Sequence, residues 1–276
     1  MTMQANAQLS RPRLTPADVT LFEQQGFLLH NKPVFAPAHF DALRNHFEDM
    51  LQAWVRDPRM RSPEHMDSPH FFSPKLFDWL LHDDVLDLVE PLIGPDIALF
   101  ASHFICKPPA VGKRVPWHED SAIWKGRLEP MKVVTVWLAV DPSTPANGCM
   151  RVIPGTHTNG YSDYDAVEGA VFTREIKPSQ MSDDTAVDCV LQPNEASLHD
   201  GRLIHGSSAN TGAMRRCGFT MRFIPTTTRM NEDTGPTGYQ LYLARGRDRA
   251  GNRYGDPSKP NQTWIDAYAD GFPIGH

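Results

Sequence analysis

Three side chains of this 276-residue chain have the types and spacing to share one metal ion. His118 and Asp120 stand at i and i+2 in Trp117-His118-Glu119-Asp120. On an extended strand those positions face one side, about 7 Å apart at Cα, and Glu119 points away. The third ligand comes from His199-Asp200-Gly201-Arg202-Leu203-Ile204-His205-Gly206-Ser207. Read as one extended run, this stretch puts His199 and His205 on the same face but about 20 Å apart, so only one can join the metal. His205 is favoured because Arg216 follows it across a Ser-Ser-Ala-Asn-Thr-Gly turn. An antiparallel return strand then brings the guanidinium back beside that imidazole. Two His and one carboxylate on one face of an octahedron make the facial triad of non-haem Fe(II) oxygenases, with positions left for a co-substrate and O2. A nearby Arg is suited to clamp a dicarboxylate bidentately.

The strands that must hold these groups carry a pattern of their own. In residues 216–223 the odd positions are Cys217, Phe219, Met221 and Phe223, and the even ones are Arg216, Gly218, Thr220 and Arg222. Side chains alternate between faces, so one face is apolar and the other bears two guanidiniums. In residues 133–140, Val134, Val136, Leu138 and Val140 form one apolar face, while Val133, Thr135, Trp137 and Ala139 are too apolar for open water. A barrel with a lined interior satisfies both strands.

Around them the chain divides into helices first and strands later. Thr15, Pro16 and Asp18 mark a helix start, with Gly26 as its stop and a short strand from Gly26 to Leu29. Phe40, Leu43, Phe47, Leu51 and Trp54 predict a helix from Pro37 to Val55. Residues 56–73 read as a surface loop, and Leu76 to Leu92 as a third helix ended by Gly94 and Pro95. Short strands are predicted at 97–106, 114–118, 133–140, 149–153, 187–191, 196–205 and 215–224. This is an α+β order with a mainly β core, a sandwich or barrel with the helices outside. Residues 1–13 read as a flexible leader, and 14–276 as a single domain. The stretch from Pro225 to His276 is rich in Gly, Pro, Asn and Arg and gives no clear element.

Composition removes several classes. The chain is 40 % hydrophobic and 22 % charged, an ordinary globular balance, and its 24 prolines suit a turn-heavy chain better than a helix bundle. A net charge of −6 gives no electrostatic reason to bind nucleic acid or acidic lipid. No apolar run approaches the roughly 18 residues of a membrane span. Met1 to Leu14 lacks the basic start and apolar core of a secretory signal. Cys106, Cys149, Cys189 and Cys217 are far apart, which fits reduced thiols in a cytoplasm. Oligomeric state is not readable.

Five signatures occur in order: Lys107-Pro108-Pro109; Trp117-His118-Glu119-Asp120; Asn147 through His157 (NGCMRVIPGTH); His205-Gly206-Ser207; and Arg216. Together they resemble the phytanoyl-CoA dioxygenase family of Fe(II)- and 2-oxoglutarate-dependent oxygenases, over about Leu14 to Tyr254. The resemblance implies a double-stranded β-helix, or cupin-like jelly roll. It implies His118, Asp120 and His205 as iron ligands, and Arg216, helped by Ser207, on the distal carboxylate of 2-oxoglutarate. Trp137 falls where the family has a Trp near the co-substrate; Thr135 shares its face, and Lys107 matches a family lysine. The Asn147–His157 motif reads as structural. Halogenating relatives replace the carboxylate by a small residue, so the retained Asp120 points to hydroxylation or a related oxidation such as desaturation. The implied reaction uses O2, oxidises a C–H bond of a small molecule, and releases succinate and CO2.

Two rival readings fit parts of the pattern. A zinc hydrolase can use the same His/Asp/His set with Glu119 or Asp200 as base, but it leaves Arg216 and Ser207 without a role. A non-catalytic jelly-roll binding module treats the cluster as incidental. Ser207 lacks a nucleophile elbow, and Arg245-Gly246-Arg247 lacks the spacing of a phosphate loop. The Arg-rich segment 245–253 is either a solvated loop or an attractor for an anionic substrate. Substrate choice is expected to lie in 56–73, in Ser121 to Pro130, and in the lid-like stretch from Asn159 to Met181.

Overall fold

The computed structural model describes residues 14–56, 65–231 and 240–269; the leader at 1–13 lies outside them. The first elements are α1 (Pro16–Gln25), β1 (Phe27–His30) and α2 (Pro37–Arg56). After them come β2 (His65–Asp67), α3 (Pro69–Phe72), α4 (Phe77–Leu80) and α5 (Asp83–Ile93). Next are β3 (Ile97–Lys107), β4 (Val115–His118), α6 (Ser121–Trp124), β5 (Leu128–Glu129), β6 (Val134–Ala139) and β7 (Met150–Val152). They are followed by β8 (Tyr164–Ala166), β9 (Arg174–Ile176), β10 (Val187–Asp188), β11 (Ala196–Asp200) and β12 (His205–Ser207). The last are β13 (Arg216–Pro225), β14 (Arg229–Met230), β15 (Tyr242–Arg245) and α7 (Gln262–Ala269).

Two antiparallel sheets make the jelly roll. The larger runs β1-β11-β6-β13-β3-β15, with β2 paired on β3, and the smaller runs β10-β7-β12-β4. Consecutive strands rarely neighbour one another, because the chain crosses between the sheets at corners. The main core lies outside the large sheet, where α2 and α5 press Phe40, Leu43, Phe47, Val85, Leu86 and Val89 against it. From the sheet side Val134, Val136, Leu138, Phe219, Met221 and Phe223 meet them. The opposite faces of β6 and β13 therefore turn into the space between the sheets, as the alternation requires.

Local chemistry explains the element ends. At α1 the Thr15 hydroxyl accepts the Asp18 N–H at 3.2 Å, and the Asp18 carboxylate accepts the Thr15 N–H at 2.8 Å. This reciprocal cap satisfies two groups that the helix leaves open. Gly26 ends the helix with φ +78°, and a Cβ there would lie 2.5 Å from the His157 ring.

Three expectations need correction. The supposed loop at 56–73 contains β2 and the buried α3, where His70 and Phe71 are fully enclosed. The helix expected from Leu76 to Leu92 is broken after α4. His82 acts as a new N-cap, its Nδ1 accepting the Asp84 N–H at 3.2 Å, and Asp83 and Asp84 fill the first turn of α5. That His-Asp-Asp run is a helix start rather than an interior. The strand expected at 196–205 is two strands in different sheets, with a corner at 201–204. The Leu203 N–H donates to the Asp200 carbonyl at 3.0 Å, and the Arg202 N–H donates to the Asp200 carboxylate at 2.8 Å. Of the Arg-rich segment, Arg245 binds Asp83, Asp87 and Glu90, and Arg249 binds Asp96. These arginines tie the C-terminal stretch to the helical layer.

His70 makes the fold sensitive to acid. Its Nδ1 lies 2.7 Å from the Ser102 hydroxyl, its Nε2 has no partner, and burial pushes its pKa down to about 3. The unfolded chain takes up a proton near pH 6.5 that the folded chain refuses until about pH 3, so stability falls across that window as pH drops. Between pH 7 and 5 the loss from one such imidazole is about 2 kcal/mol. Urea denaturation of His70→Leu should show a pH 7-to-5 decline smaller than the wild type's by about that amount; an equal decline would refute the assignment.

Candidate metal centre

His118 closes β4 and His205 opens β12, and the two are directly paired across the small sheet. Their rings lie 4.1 Å apart. Asp120 follows β4 at the start of α6, two residues past His118. One ligand atom from each of His118, Asp120 and His205 lies within 4.8 Å of the others, and all three residues are buried. They form the His/Asp/His set expected from the sequence.

The backbone settles which ring atoms face inward. His118 Nδ1 lies 2.8 Å from the Pro116 carbonyl, and His205 Nδ1 lies 2.9 Å from the Leu203 carbonyl. A carbonyl only accepts, so each Nδ1 carries the proton and each Nε2 keeps a lone pair for a cation. Burial, reinforced by His205, pushes His118 down to about pKa 3 and holds it neutral. Burial alone would raise the Asp120 carboxyl. The Arg222 guanidinium overrides it and, with the neighbouring imidazoles, holds Asp120 well below the usual carboxylate range. Two imidazoles with inward-facing Nε2 atoms and one ionised carboxylate in a buried pocket fit a divalent iron ion.

The cation-bearing face of β13 supplies two different guanidiniums. Arg222 donates Nε and Nη2 to Asp120 Oδ2 at 3.2 and 3.1 Å. Its Nη1 bonds His103 Nδ1, and His103 Nε2 lies 2.8 Å from Asp67 on β2. Asp120 is thus buttressed by a line of three side chains that ends on an element the sequence reading took for loop. Arg216 is 2 % exposed and has no carboxylate partner among the described residues. It donates Nε and Nη2 to the Gly148 carbonyl at 3.1 and 2.9 Å, and Nη2 to Ser207 Oγ at 3.4 Å. Its guanidinium stands over the Trp137 ring, 5.4 Å from the centroid. Gly218 makes that arrangement possible, since a Cβ there would lie 2.0 Å from the Trp137 ring.

A cavity of about 100 Å³ joins these parts, lined by His118, Asp120, His205, Ser207, Arg216 and Trp137 among others. Lys107 also lines it and donates Nζ to the Ser208 carbonyl. Thr135 is buried with its hydroxyl unpartnered and is not part of the cavity wall. In the Asn147–His157 motif, Asn147 bonds Thr144 and Pro142 to shape the turn whose Gly148 carbonyl holds Arg216. His157 bonds the Glu23 carbonyl at 3.1 Å and takes no part in the cluster.

The 20 Å separation expected between His199 and His205 is wrong. Their rings lie 4.9 Å apart, because the corner at 201–204 folds β12 back over β11. His199 lines the cavity with both ring nitrogens unpartnered, and its Nε2 is 4.0 Å from Asp120 Oδ2. Arg222 was visible on its strand face, but its partner Asp120 was not. His103 and Asp67 left no signal, because only the sheet brings them in.

Comparison with known proteins agrees with this architecture. The sequence pattern of the phytanoyl-CoA dioxygenase (PhyH) family matches residues 22–218. A phytanoyl-CoA dioxygenase domain-containing protein 1 homolog of Dictyostelium discoideum is 30 % identical over 162 residues, 56 % of each chain. The human peroxisomal phytanoyl-CoA dioxygenase is 27 % identical over 219 residues, 71 % of this chain and 64 % of that one. The chain thus spans between about half and two thirds of the length of these relatives. The solved structure of CytC3 superimposes with a TM-score of 0.66 at 25 % identity, covering 91 % of this chain and 97 % of that one. CytC3 has also been solved with Fe(II) and alpha-ketoglutarate. With the family pattern spanning most of its length and the His/Asp/His cluster inside the matched region, this chain belongs to the phytanoyl-CoA dioxygenase family.

Proposed function

We propose that the protein is an Fe(II)- and 2-oxoglutarate-dependent oxygenase acting on a small molecule, with residues 14–276 working as one domain. The observation that carries the reading is Arg216, a buried guanidinium without a carboxylate, on the wall of the same cavity as the His/Asp/His cluster. A zinc hydrolase has no use for such a group. A dicarboxylate that reaches from the metal to Arg216 supplies the missing negative charge. His118, Asp120 and His205 hold the iron. Arg216 grips the distal carboxylate, Ser207 donates beside it, and Trp137 sets the plane of the guanidinium. Lys107 adds positive charge at that wall, and Thr135 lies on β6 in register with Arg222 and His199.

When iron, 2-oxoglutarate and O2 are bound, such a centre supplies an oxidant for a C–H bond, and succinate and CO2 leave. The protein's part is to position and exclude. Arg222 keeps Asp120 ionised and fixed, and the two carbonyl-bound imidazoles keep their Nε2 atoms on the metal side. Ile123, Trp124, Val171 and Phe172 give the cavity an apolar wall that limits water. With Asp120 retained, the reading favours hydroxylation or desaturation over halogenation. Among the described residues no helix is long and apolar enough to cross a membrane. The cysteines are not all far apart, since Cys106 and Cys217 are register partners on β3 and β13 with Sγ atoms 2.7 Å apart; a reducing compartment such as the cytoplasm is the setting in which that pair stays as thiols.

Anaerobic addition of Fe(II) and 2-oxoglutarate to the apoprotein should produce the weak visible charge-transfer band of a chelated 2-oxo acid. His205→Ala should abolish it. Arg216→Ala removes a buried charged hydrogen bond worth about 2–5 kcal/mol and should raise the 2-oxoglutarate requirement at least thirty-fold. Tight Zn²⁺ binding without any band would overturn the reading.

Gly218→Ala tests the wall from behind. Its methyl displaces the Trp137 ring from beneath Arg216 and should weaken 2-oxoglutarate at least tenfold while Fe(II) affinity stays within about twofold. Arg222→Met should do the reverse, since it frees Asp120 and leaves Arg216 in place. Metal affinity measured by competition with a chelator distinguishes the two.

A further inference from the structure

Cys106 on β3 and Cys217 on β13 face each other across the large sheet as direct register partners. Their Sγ atoms lie 2.7 Å apart, although the residues are 111 positions apart in the chain. Nonbonded carbon atoms pack best about 3.5–4.0 Å apart, and sulfur is larger, so this contact is closer than packing alone favours. Both side chains belong to the apolar core between the large sheet and the helices, with Cys217 fully buried and Cys106 7 % exposed. Directly opposite residues of an antiparallel pair have Cα atoms about 4.5–5.5 Å apart, and a disulfide needs about 4.4–6.8 Å. The backbone therefore already has the spacing of a crosslink, and only the sulfurs have to move.

The other two cysteines are not opposed in this way. Asp188 pairs with Arg151, and the Cys189 N–H donates to the Met150 carbonyl at 2.8 Å, which sets Cys189 against Met150 rather than Cys149. Burial pushes the Cys149 thiol up to about 11 and the Cys189 thiol higher still. A thiol held protonated is a poor nucleophile, so these two rest as structural residues. Burial also holds the Cys217 thiol well above its ordinary range, whereas Cys106 is the member of the pair that still meets solvent. The place of the pair matters as well. The next residues on the two strands, Lys107 and Arg216, are themselves register partners, and both line the metal cavity. A bond between the sulfurs ties the strands together one step behind those two cations.

We propose that Cys106 and Cys217 form a redox modification site, a dithiol that hydrogen peroxide closes to a disulfide and a thiol reductant reopens. The Cys106 sulfur, as thiolate, attacks one peroxide oxygen, the O–O bond breaks, and the released hydroxide takes up the thiol proton as water. The Cys217 sulfur then attacks the sulfenic sulfur of Cys106, the S–O bond breaks, and a second water leaves with the Cys217 proton. The two sulfurs give up two electrons in all, and the two peroxide oxygens gain them. On reopening, two reductant thiols return two electrons and two protons and are themselves joined as a disulfide. In a reducing compartment closure is therefore transient and follows the oxidant. The closed form staples β3 to β13 and leaves the His/Asp/His cluster untouched, so the site does not depend on which reaction the metal centre performs.

The test exposes the full chain to a small excess of hydrogen peroxide, with a chelator present to keep free iron out of the reaction. Thiols counted after denaturation should fall from four to two, and the intact mass should drop by two hydrogens. Peptide mapping without reductant should join the peptides that carry Cys106 and Cys217. The thermal midpoint should rise by at least about 3 °C, because the crosslink closes a long loop of the unfolded chain. Dithiothreitol should reverse every one of these changes. Cys106→Ala and Cys217→Ala should each abolish the joined peptides and the thermal gain, while the double variant Cys149→Ala, Cys189→Ala should keep both. The wild-type peptide map decides the matter if either single variant is too unstable to purify. The proposal is overturned if four thiols persist, if the joined peptides carry Cys149 or Cys189, or if Cys106 is carried to the sulfinic acid without a crosslink. A crosslink without a thermal gain overturns the stapling of the two strands.

Discussion

β13 buries Phe219, Met221 and Phe223 against the helical layer, and in doing so it forces Arg216 and Arg222 into the space between the sheets. Neither guanidinium can give up its charge, and a buried charge without compensation costs several kcal/mol. The fold answers the two cations differently. Arg222 meets an ionised carboxylate, Asp120, and a neutral imidazole, His103. Arg216 meets only the Gly148 carbonyl, a hydroxyl and the face of Trp137, none of which carries a full negative charge. That asymmetry sets a paired, structural arginine apart from one whose charge the protein leaves uncompensated.

The metal cluster depends on the same economy of backbone. His118 and His205 are register partners in the small sheet, so their approach follows from strand pairing and needs no special loop. Each ring is oriented by a carbonyl two residues earlier in its own chain, Pro116 and Leu203. The corner at 201–204 has two roles. It carries the chain from the large sheet to the small one, and it presents the Leu203 carbonyl that fixes the His205 tautomer. A substitution that disturbs this corner acts on the metal without touching it.

Features written in local spacing were legible without a structure. The Thr15 cap, the alternation of β6 and β13 and the His-x-Asp pair all depend on near neighbours. Arg216 does reach the cavity, but not as the expected return strand: β13 is unpaired with β12 and lies in the other sheet, across the cavity from His205. The misreadings arose where tertiary context overrides local pattern. His199 was placed about 20 Å from His205 because a sheet-to-sheet corner looks, in sequence, like a continuation of the strand. Residues 56–73 looked like loop because the stretch is polar and proline-containing, yet β2 pairs with β3 and puts Asp67 behind His103. Single residues at wide separation, such as Asp67 and His103, carry no periodicity to read.

Asp120 serves two partners at once, and this bears on the chemistry the site supports. One face of its carboxylate is offered to the metal, and the other is held by Arg222. If position 120 carried a small residue, Arg222 would face the metal site with only neutral His103 beside it. The gap would then be both vacant and positively charged, a setting that draws a small anion next to the metal. With Asp in place the same charge is spent on orienting a ligand, and no anion is needed to complete the centre. The retention of Asp120 and the burial of Arg222 are therefore one feature: the guanidinium that would recruit an anion instead fixes the carboxylate that makes one unnecessary.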